Sequence, residues 1–186
     1  WRQWFVAGGQ APDFVAGHSL GEYSALVAAE SLNFFDAIKL VQLRGELMQA
    51  AVPAGEGKMA AILGLEDDDV TAACAEAANG DVVAAVNFNA PGQVVIAGAA
   101  GAVERAIEAC KARGARKAMP LPVSVPSHCA LMKGAAEELA TALDEVTFND
   151  AVIPVVQNVT ASVAQDSESL KANLVKQLYS PVLWTD

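Results

Sequence analysis

Along the chain, hydrophobic and polar positions change rhythm twice. A short apolar run, Phe14-Val15-Ala16, leads into Gly17-His18-Ser19-Leu20-Gly21-Glu22, and a helix-like run follows from Ser24 to Glu30. Asn33 to Val52 has helical period: Asn33 can cap it, and Pro53-Ala54-Gly55 ends it. At about 100° per residue, Asp36, Lys39, Gln42, Glu46 and Gln49 share one polar stripe, and Arg44 projects nearly opposite, among Ala37, Leu40, Val41, Leu47, Met48 and Ala51. From Lys58 to Pro122 the rhythm is different. Met59 to Leu63 predicts a strand, Asp67 to Ala78 a helix, Val82 to Phe88 and Val94 to Ala97 two strands around Asn89-Ala90-Pro91-Gly92, Gly101 to Arg113 a helix, and Arg116 to Leu121 a last strand. That order, β-α-β-β-α-β, is ferredoxin-like.

The pattern then returns to a loop, Val123 to Cys129, a helix from Ala130 to Glu145, a strand from Ile153 to Asn158 and a helix from Ser169 to Tyr179 that stops before Pro181. The expected organisation is residues 1–55 and 123–186 as one discontinuous core, with residues 56–122 inserted between hinges at Pro53 to Gly55 and Pro122 to Pro126. The opening stretch, Trp1 to Gln10, reads as the tail of a helix ending in Gly8-Gly9, and no closing element is expected near Asp186, so the chain is expected to start and end inside a fold.

Composition narrows the function classes. With 53% hydrophobic residues in 186, a substantial core is expected, and no apolar run approaches the roughly 20 residues that cross a bilayer. A formal net charge of −10 disfavours nucleic acid as a partner, because the phosphate backbone would be repelled by most of the surface. Cys74, Cys110 and Cys129 are odd in number and far apart, giving neither a disulfide framework nor a Cys-x-x-Cys metal site, which fits a reducing cytoplasm. Two histidines with no clustered Cys or Asp leave no metal ligand set, and no Gly-rich piece has the lysine and spacing of a phosphate loop.

The chemistry concentrates at Gly17 to Glu22. Strand, G-x-S-x-G and helix together form the setting of a nucleophile elbow, with Ser19 at the tip and small residues at 17 and 21 where strand and helix backbones come close. The Leu20 amide, at the positive end of the following helix, would face a developing oxyanion. A serine hydroxyl needs a base, and only two histidines exist. His18, adjacent to Ser19, should point away and is read as structural; His128, in a loop after Pro126-Ser127, is the candidate base. Cys129 beside it is read as a buried thiol. Arg44 has two readings: a structural pair with a carboxylate such as Glu22, or a clamp for an anionic substrate. Lys111, Arg113, Arg116 and Lys117 place four of twelve cations within seven residues. They are read either as solvated charges at a helix C-terminus or as a docking patch for an acidic protein.

Taken together, Gly17-His18-Ser19-Leu20-Gly21-Glu22, Leu43-Arg44-Gly45 with Met48, the run Asn87 to Gly98, and Val125-Pro126-Ser127-His128-Cys129 resemble the bacterial malonyl-CoA:acyl carrier protein transacylases of type II fatty acid synthesis, in order and over essentially the whole chain. The resemblance implies an α/β-hydrolase-like parallel-sheet core carrying an inserted ferredoxin-like subdomain. It also implies ping-pong transfer of malonyl from malonyl-CoA to the phosphopantetheine thiol of acyl carrier protein, with coenzyme A and phosphopantetheine as acyl carriers and no bound cofactor or metal. Ser19 is then the acylated nucleophile, His128 its general base and acid, Arg44 the clamp for the malonyl carboxylate and the Leu20 amide an oxyanion donor. Gln177 matches the position whose backbone carbonyl orients the histidine. Asn89 matches a residue near the cleft, beside its plainer reading as a turn former. The family pattern also includes an initial strand, a G-Q-G loop supplying the second oxyanion donor, and a final strand with helices, none of which lies in this sequence. Two other readings share parts of this pattern: a serine esterase or thioesterase, which predicts an acidic triad member and leaves Arg44 unexplained, and an inactive fragment that docks carrier protein.

Overall fold

The computed structural model describes residues 3, 6–123 and 125–186; Trp1, Arg2, Trp4 and Phe5 of the opening stretch and Ser124 of the loop before His128 lie outside the described residues. Two sheets carry the fold, and their strands differ greatly in length. The smaller sheet has order β1 (Val15–Ala16), β6 (Val155–Val156), β7 (Val163–Ala164), with β1 and β6 parallel and β7 antiparallel to β6. Only two residues of the expected strand Ile153 to Asn158 pair with β1, because Pro154, which has no N–H to donate, precedes them and Gln157 turns toward Ser162 and Ala161. Helices α1 (Gly21–Ala28), α2 (Phe34–Ala50), α5 (Lys133–Asp144) and α6 (Ser167–Gln177) belong to this half of the molecule. Leu26, Leu40, Met48, Leu139, Leu143, Leu170 and Leu174 meet there in one buried cluster.

The caps follow from side-chain chemistry. Asn33 Oδ1 accepts from the Phe35 amide at 2.9 Å, and Asp166 Oδ1 accepts from the Ser169 amide at 2.7 Å, satisfying donors that a helix start leaves open. Helix α1 begins at Gly21, earlier than the pattern of apolar residues suggests, because Gly21, Glu22 and Tyr23 donate back to the carbonyls of His18, Ser19 and Leu20. A short 3₁₀ turn, Ala130–Met132, leads into α5.

The larger sheet has order β5 (Lys117–Pro120), β2 (Gly57–Leu63), β4 (Gln93–Ala99), β3 (Val83–Ala90), β8 (Val182–Leu183). Helices α3 (Asp67–Ala78) and α4 (Ala100–Ala112) pack together over its first four strands around Ile62, Val70, Val94, Ile96, Val103 and Ile107. In chain order this is the βαββαβ arrangement inferred from the sequence. The whole is an α/β-hydrolase-like core carrying a ferredoxin-like subdomain. The fifth strand was not foreseen. β8 runs parallel to β3, pairing Asn87 with Val182 and Phe88 with Leu183, so the chain near its end closes an edge of the subdomain's sheet.

Candidate active site

Position 17 dictates where the serine can go. A Cβ on Gly17 would lie 2.0 Å from the carbonyl oxygen of Gly21, so strand end and helix start touch backbone to backbone. Gly21 itself is different from expectation: a Cβ there meets nothing within 4 Å, so only the first glycine is sterically required. The turn holds Ser19 at φ +52, a left-handed conformation costly for a residue with a side chain, and it persists because its neighbours fix it. Asn158 is the main fastener. Its Oδ1 accepts from the Ser19 amide at 2.6 Å, and its Nδ2 donates to the Gly17 carbonyl at 2.8 Å. Its own carbonyl accepts from Leu183 of β8 at 2.8 Å, tying the elbow to the second sheet.

Four of the sequence-selected residues converge on this turn. His128 is 3% exposed, sits at φ +65, and donates from its backbone amide to the Leu178 carbonyl, which anchors its loop to the end of α6. Its Nδ1 lies 2.7 Å from the Gln177 carbonyl oxygen, which can only accept, so Nδ1 carries the proton. Nε2 is then the free base, 2.8 Å from Ser19 Oγ. Burial, with smaller contributions from the Arg44 and His18 charges, pushes the His128 pKa down to about 4 against the raising effect of the Gln177 carbonyl, which leaves the imidazole neutral near pH 7. Arg44, on the inward face of α2 and 5% exposed, donates from Nη2 to Ser19 Oγ at 2.9 Å and to Gln177 Oε1 at 3.2 Å. Among the described residues its buried Nε has no hydrogen-bond partner.

The structural-pair reading of Arg44 is answered by what lies beside it. Among the described residues Arg44 makes no ion pair within 4 Å, and the Gln177 side chain stands between it and Glu22. Gln177 Nε2 donates to Glu22 Oε2 and to the Ser19 carbonyl at 3.0 Å. Glu22 is 1% exposed, and burial raises its pKa to about 7, opposed by hydrogen bonds from Gln177 and the Asn158 backbone and by the Arg44 charge.

The remaining candidates lie around this cluster. The Leu20 amide sits between Ser19 and the first turn of α1 and, among the described residues, donates to no protein acceptor, which leaves it available to an oxyanion. Asn89 does not reach Ser19: its Oδ1 meets His18 Nε2 at 2.9 Å, and the His18 ring packs edge-on against Trp184, with centroids 5.3 Å apart. His18 therefore points away from Ser19 as expected. Cys129 is buried, donates from Sγ to the Pro126 carbonyl, and has its pKa raised by burial. Among the described residues no group of His, Cys, Asp and Glu could hold a metal ion, and no helix is long and apolar enough to cross a membrane. Of the four clustered cations, Lys111 pairs with Glu108 and Arg113 with Glu76 and Asp69, while Arg116 and Lys117 pair with no carboxylate among the described residues.

Chemically, the arrangement is a serine whose proton can pass to a neutral imidazole, with a buried guanidinium at the same oxygen: parts that can serve nucleophilic acyl chemistry beside an anion-binding group. Comparison with known proteins agrees. The sequence model of the acyl transferase domain matches residues 2–186. The chain belongs to the acyl transferase domain family. Within it, the chain is similar to the malonyl CoA-acyl carrier protein transacylase of Salmonella typhimurium, with 58% identity over 185 residues, covering 100% of this chain and 60% of that protein. It is similar also to that of Bacillus subtilis, 52% identical over 181 residues, covering 96% and 56%. Among solved structures, an acyl carrier protein S-malonyltransferase from Vibrio cholerae superposes with a TM-score of 0.98 at 60% identity, covering 99% of this chain and 60% of the other. A malonyl-transacylase in complex with a type II PKS acyl-carrier protein gives 0.97 at 56%, with coverage of 99% and 60%. The chain thus spans about 60% of the length of these relatives.

Two features of the site escaped the sequence. Asn158 was legible only as the end of an apolar run, although it follows β6 at the carboxyl end of a parallel pair, where open α/β sheets place their sites. The Gln177 side chain was missed because the resemblance assigns only its backbone.

Proposed function

We propose that this chain carries the chemistry of malonyl transfer from malonyl-CoA to the phosphopantetheine thiol of acyl carrier protein, in the cytoplasm and for fatty acid synthesis. The observation that carries the reading is the placement of His128 Nε2 and Arg44 Nη2 at 2.8 and 2.9 Å from Ser19 Oγ. The names of the relatives supply the substrates. His128 takes the Ser19 proton as Oγ attacks the thioester carbon. The tetrahedral oxyanion is met by the Leu20 amide; the C–S bond then breaks, and the sulfur leaves with the proton held on His128. The carrier protein's thiol returns by the same steps in reverse, giving up its proton to His128 and expelling Ser19. Arg44 holds the free carboxylate of the malonyl group through charge-assisted hydrogen bonds. Arg116 and Lys117, which pair with no carboxylate among the described residues of an acidic molecule, suit an acidic carrier protein.

Intact-mass spectrometry after mixing with malonyl-CoA tests this. A stable malonyl adduct that maps to Ser19 and is discharged by holo carrier protein is the expected result. Turnover to free malonate would instead make the chain a hydrolase, and the absence of any adduct would leave carrier-protein docking as the function.

A further inference from the structure

Every polar atom of the Gln177 side chain is engaged, and so is its backbone carbonyl. Its side chain is fully buried; its backbone carbonyl accepts from His128 Nδ1, its Oε1 accepts from Arg44 Nη2, and its Nε2 spends both hydrogens, on the Ser19 carbonyl and Glu22 Oε2. The amide can sit only one way round. The Ser19 carbonyl can only accept, and so can Glu22 in its ionised form, so the NH₂ faces them, and Oε1 is thereby turned to the guanidinium. Glu22 thus sets the orientation of an amide that in turn sets the position of an arginine, although the carboxylate and the guanidinium form no ion pair.

Arg44 in this state is held yet not spent. Nη2 divides its two hydrogens between Gln177 Oε1 and Ser19 Oγ, and the buried Nε has no acceptor among the described residues. A carboxylate arriving in the usual forked geometry needs Nη2 as one tine, because Nη2 is shared by the two edges of the guanidinium that accept a carboxylate from its outer sides. The contact to Ser19 Oγ is the one that can be given up without disturbing the buried cluster. The Gln177 contact then keeps the guanidinium in register while the serine oxygen becomes free to attack.

We propose that the Gln177 side chain, oriented by Glu22, is a positioning residue for Arg44 and so a determinant of selectivity for acyl groups bearing a free carboxylate, distinct from the backbone support that Gln177 gives His128. This rests on the reading of Arg44 as the carboxylate clamp. A glutamate at 177 would set its carboxylate against Glu22 and the Ser19 carbonyl, and an apolar residue of similar length would leave Nη2 without its anchor. The backbone carbonyl at His128 survives either change.

The test compares single-turnover loading of Ser19 from malonyl-CoA and from acetyl-CoA, followed by intact mass, in the purified protein and its variants. Gln177→Met is expected to slow malonyl loading at least about tenfold more than acetyl loading, with the pH dependence of acetyl loading unmoved because His128 keeps its partner. Equal losses with both donors would overturn the proposal and make the side chain merely structural. Glu22→Gln serves as the second variant, and the one that decides should Gln177→Met fail to fold. It replaces one of the two acceptors that hold the amide by a group that can also donate, loosening that hold, and the malonyl-to-acetyl ratio is expected to fall at least threefold; an unchanged ratio would overturn the proposal. Arg44→Met separates the two levels. If it leaves the ratio unchanged, the clamp itself is wrong; if it collapses the ratio and the Gln177 and Glu22 variants do not, only the positioning role is.

Discussion

The two halves of this molecule manage backbone strain and buried polarity in opposite ways. In the ferredoxin-like half, strands of four to eight residues pair along their length, broken only by shifts in β3 between Ala85 and Asn87 and between Phe88 and Ala90, and the positive-φ positions Gly64, Asn79, Gly80, Gly92 and Gly114 all fall in turns, filled by residues that tolerate that conformation. Its central cluster is apolar. In the other half the strands are two residues long, the positive-φ positions include Ser19 and His128, and Glu22, Arg44, His128, Asn158 and Gln177 are buried together. One region is regular because packing decides it. The other is irregular because a reactive oxygen, a base and a charge must meet at one point, and a network of hydrogen bonds has to hold them there.

The largest effect expected from breaking this contrast is chemical. His128→Ala removes the base and leaves Ser19 Oγ with Arg44 as its only remaining side-chain partner among the described residues. Malonyl loading should fall by roughly 10²- to 10⁴-fold, measured by stopped-flow or quenched intact mass. The urea midpoint at neutral pH should move far less, since a cavity rather than an unpaired charge is left. A loss under tenfold would mean that the short Ser19 contact is not the proton route.

Next comes the backbone contact on which each half depends. Gly17→Ala would put a methyl 2.0 Å from the Gly21 carbonyl oxygen, and Gly98→Ala would put one 2.0 Å from the Val82 carbonyl oxygen in the larger sheet. Both collisions are with backbone, which cannot swing aside as a side chain can. Each variant should lose at least about 3 kcal/mol in urea denaturation. The comparison is sharpened by Gly21→Ala, which meets open space and should stay within about 1 kcal/mol of the parent. Similar losses at 17 and 21 would show that the elbow is looser than its geometry.

How much could be read in advance follows the same division. The ferredoxin-like order was legible because local periodicity decides it: Ile62, Ile96 and Ile107 sit where alternation and helical period put them. Ser19, His128 and Arg44 were legible as chemistry without a counterpart, a serine in a tight turn, a lone usable base, a charge on an apolar face. The links between them were not. Asn158, 139 positions from Ser19, and the Gln177 side chain, 133 from Arg44, act through long-range hydrogen bonds that no local pattern encodes. β8 was missed for a related reason: its partner strand, not its own two residues, makes it a strand.

The smallest expected effect arises from two buried groups that oppose each other. His128 has a folded pKa of about 4 against 6.5 for the free group, so between these values the unfolded chain binds more protons and stability is lost as pH falls through the window, by up to about 3 kcal/mol. Glu22 has a folded pKa of about 7 against 4.5, so between those values the folded chain binds more protons and stability is lost as pH rises, by a similar amount. From about pH 4.5 to 6.5 the two slopes nearly cancel, and the contribution of this site to the parent's urea midpoint should be close to flat. Each variant then exposes one slope. Glu22→Gln should lose stability as pH is lowered from 6.5 toward 4, and His128→Asn should lose it as pH is raised from 4.5 toward 7. The same pair of substitutions in opposite directions distinguishes titration of these two groups from acid unfolding of the surface, which would tilt both variants alike. Parallel pH profiles in the two variants would mean that the buried cluster does not titrate as its surroundings dictate, and that it is less sealed from water than the apolar half beside it.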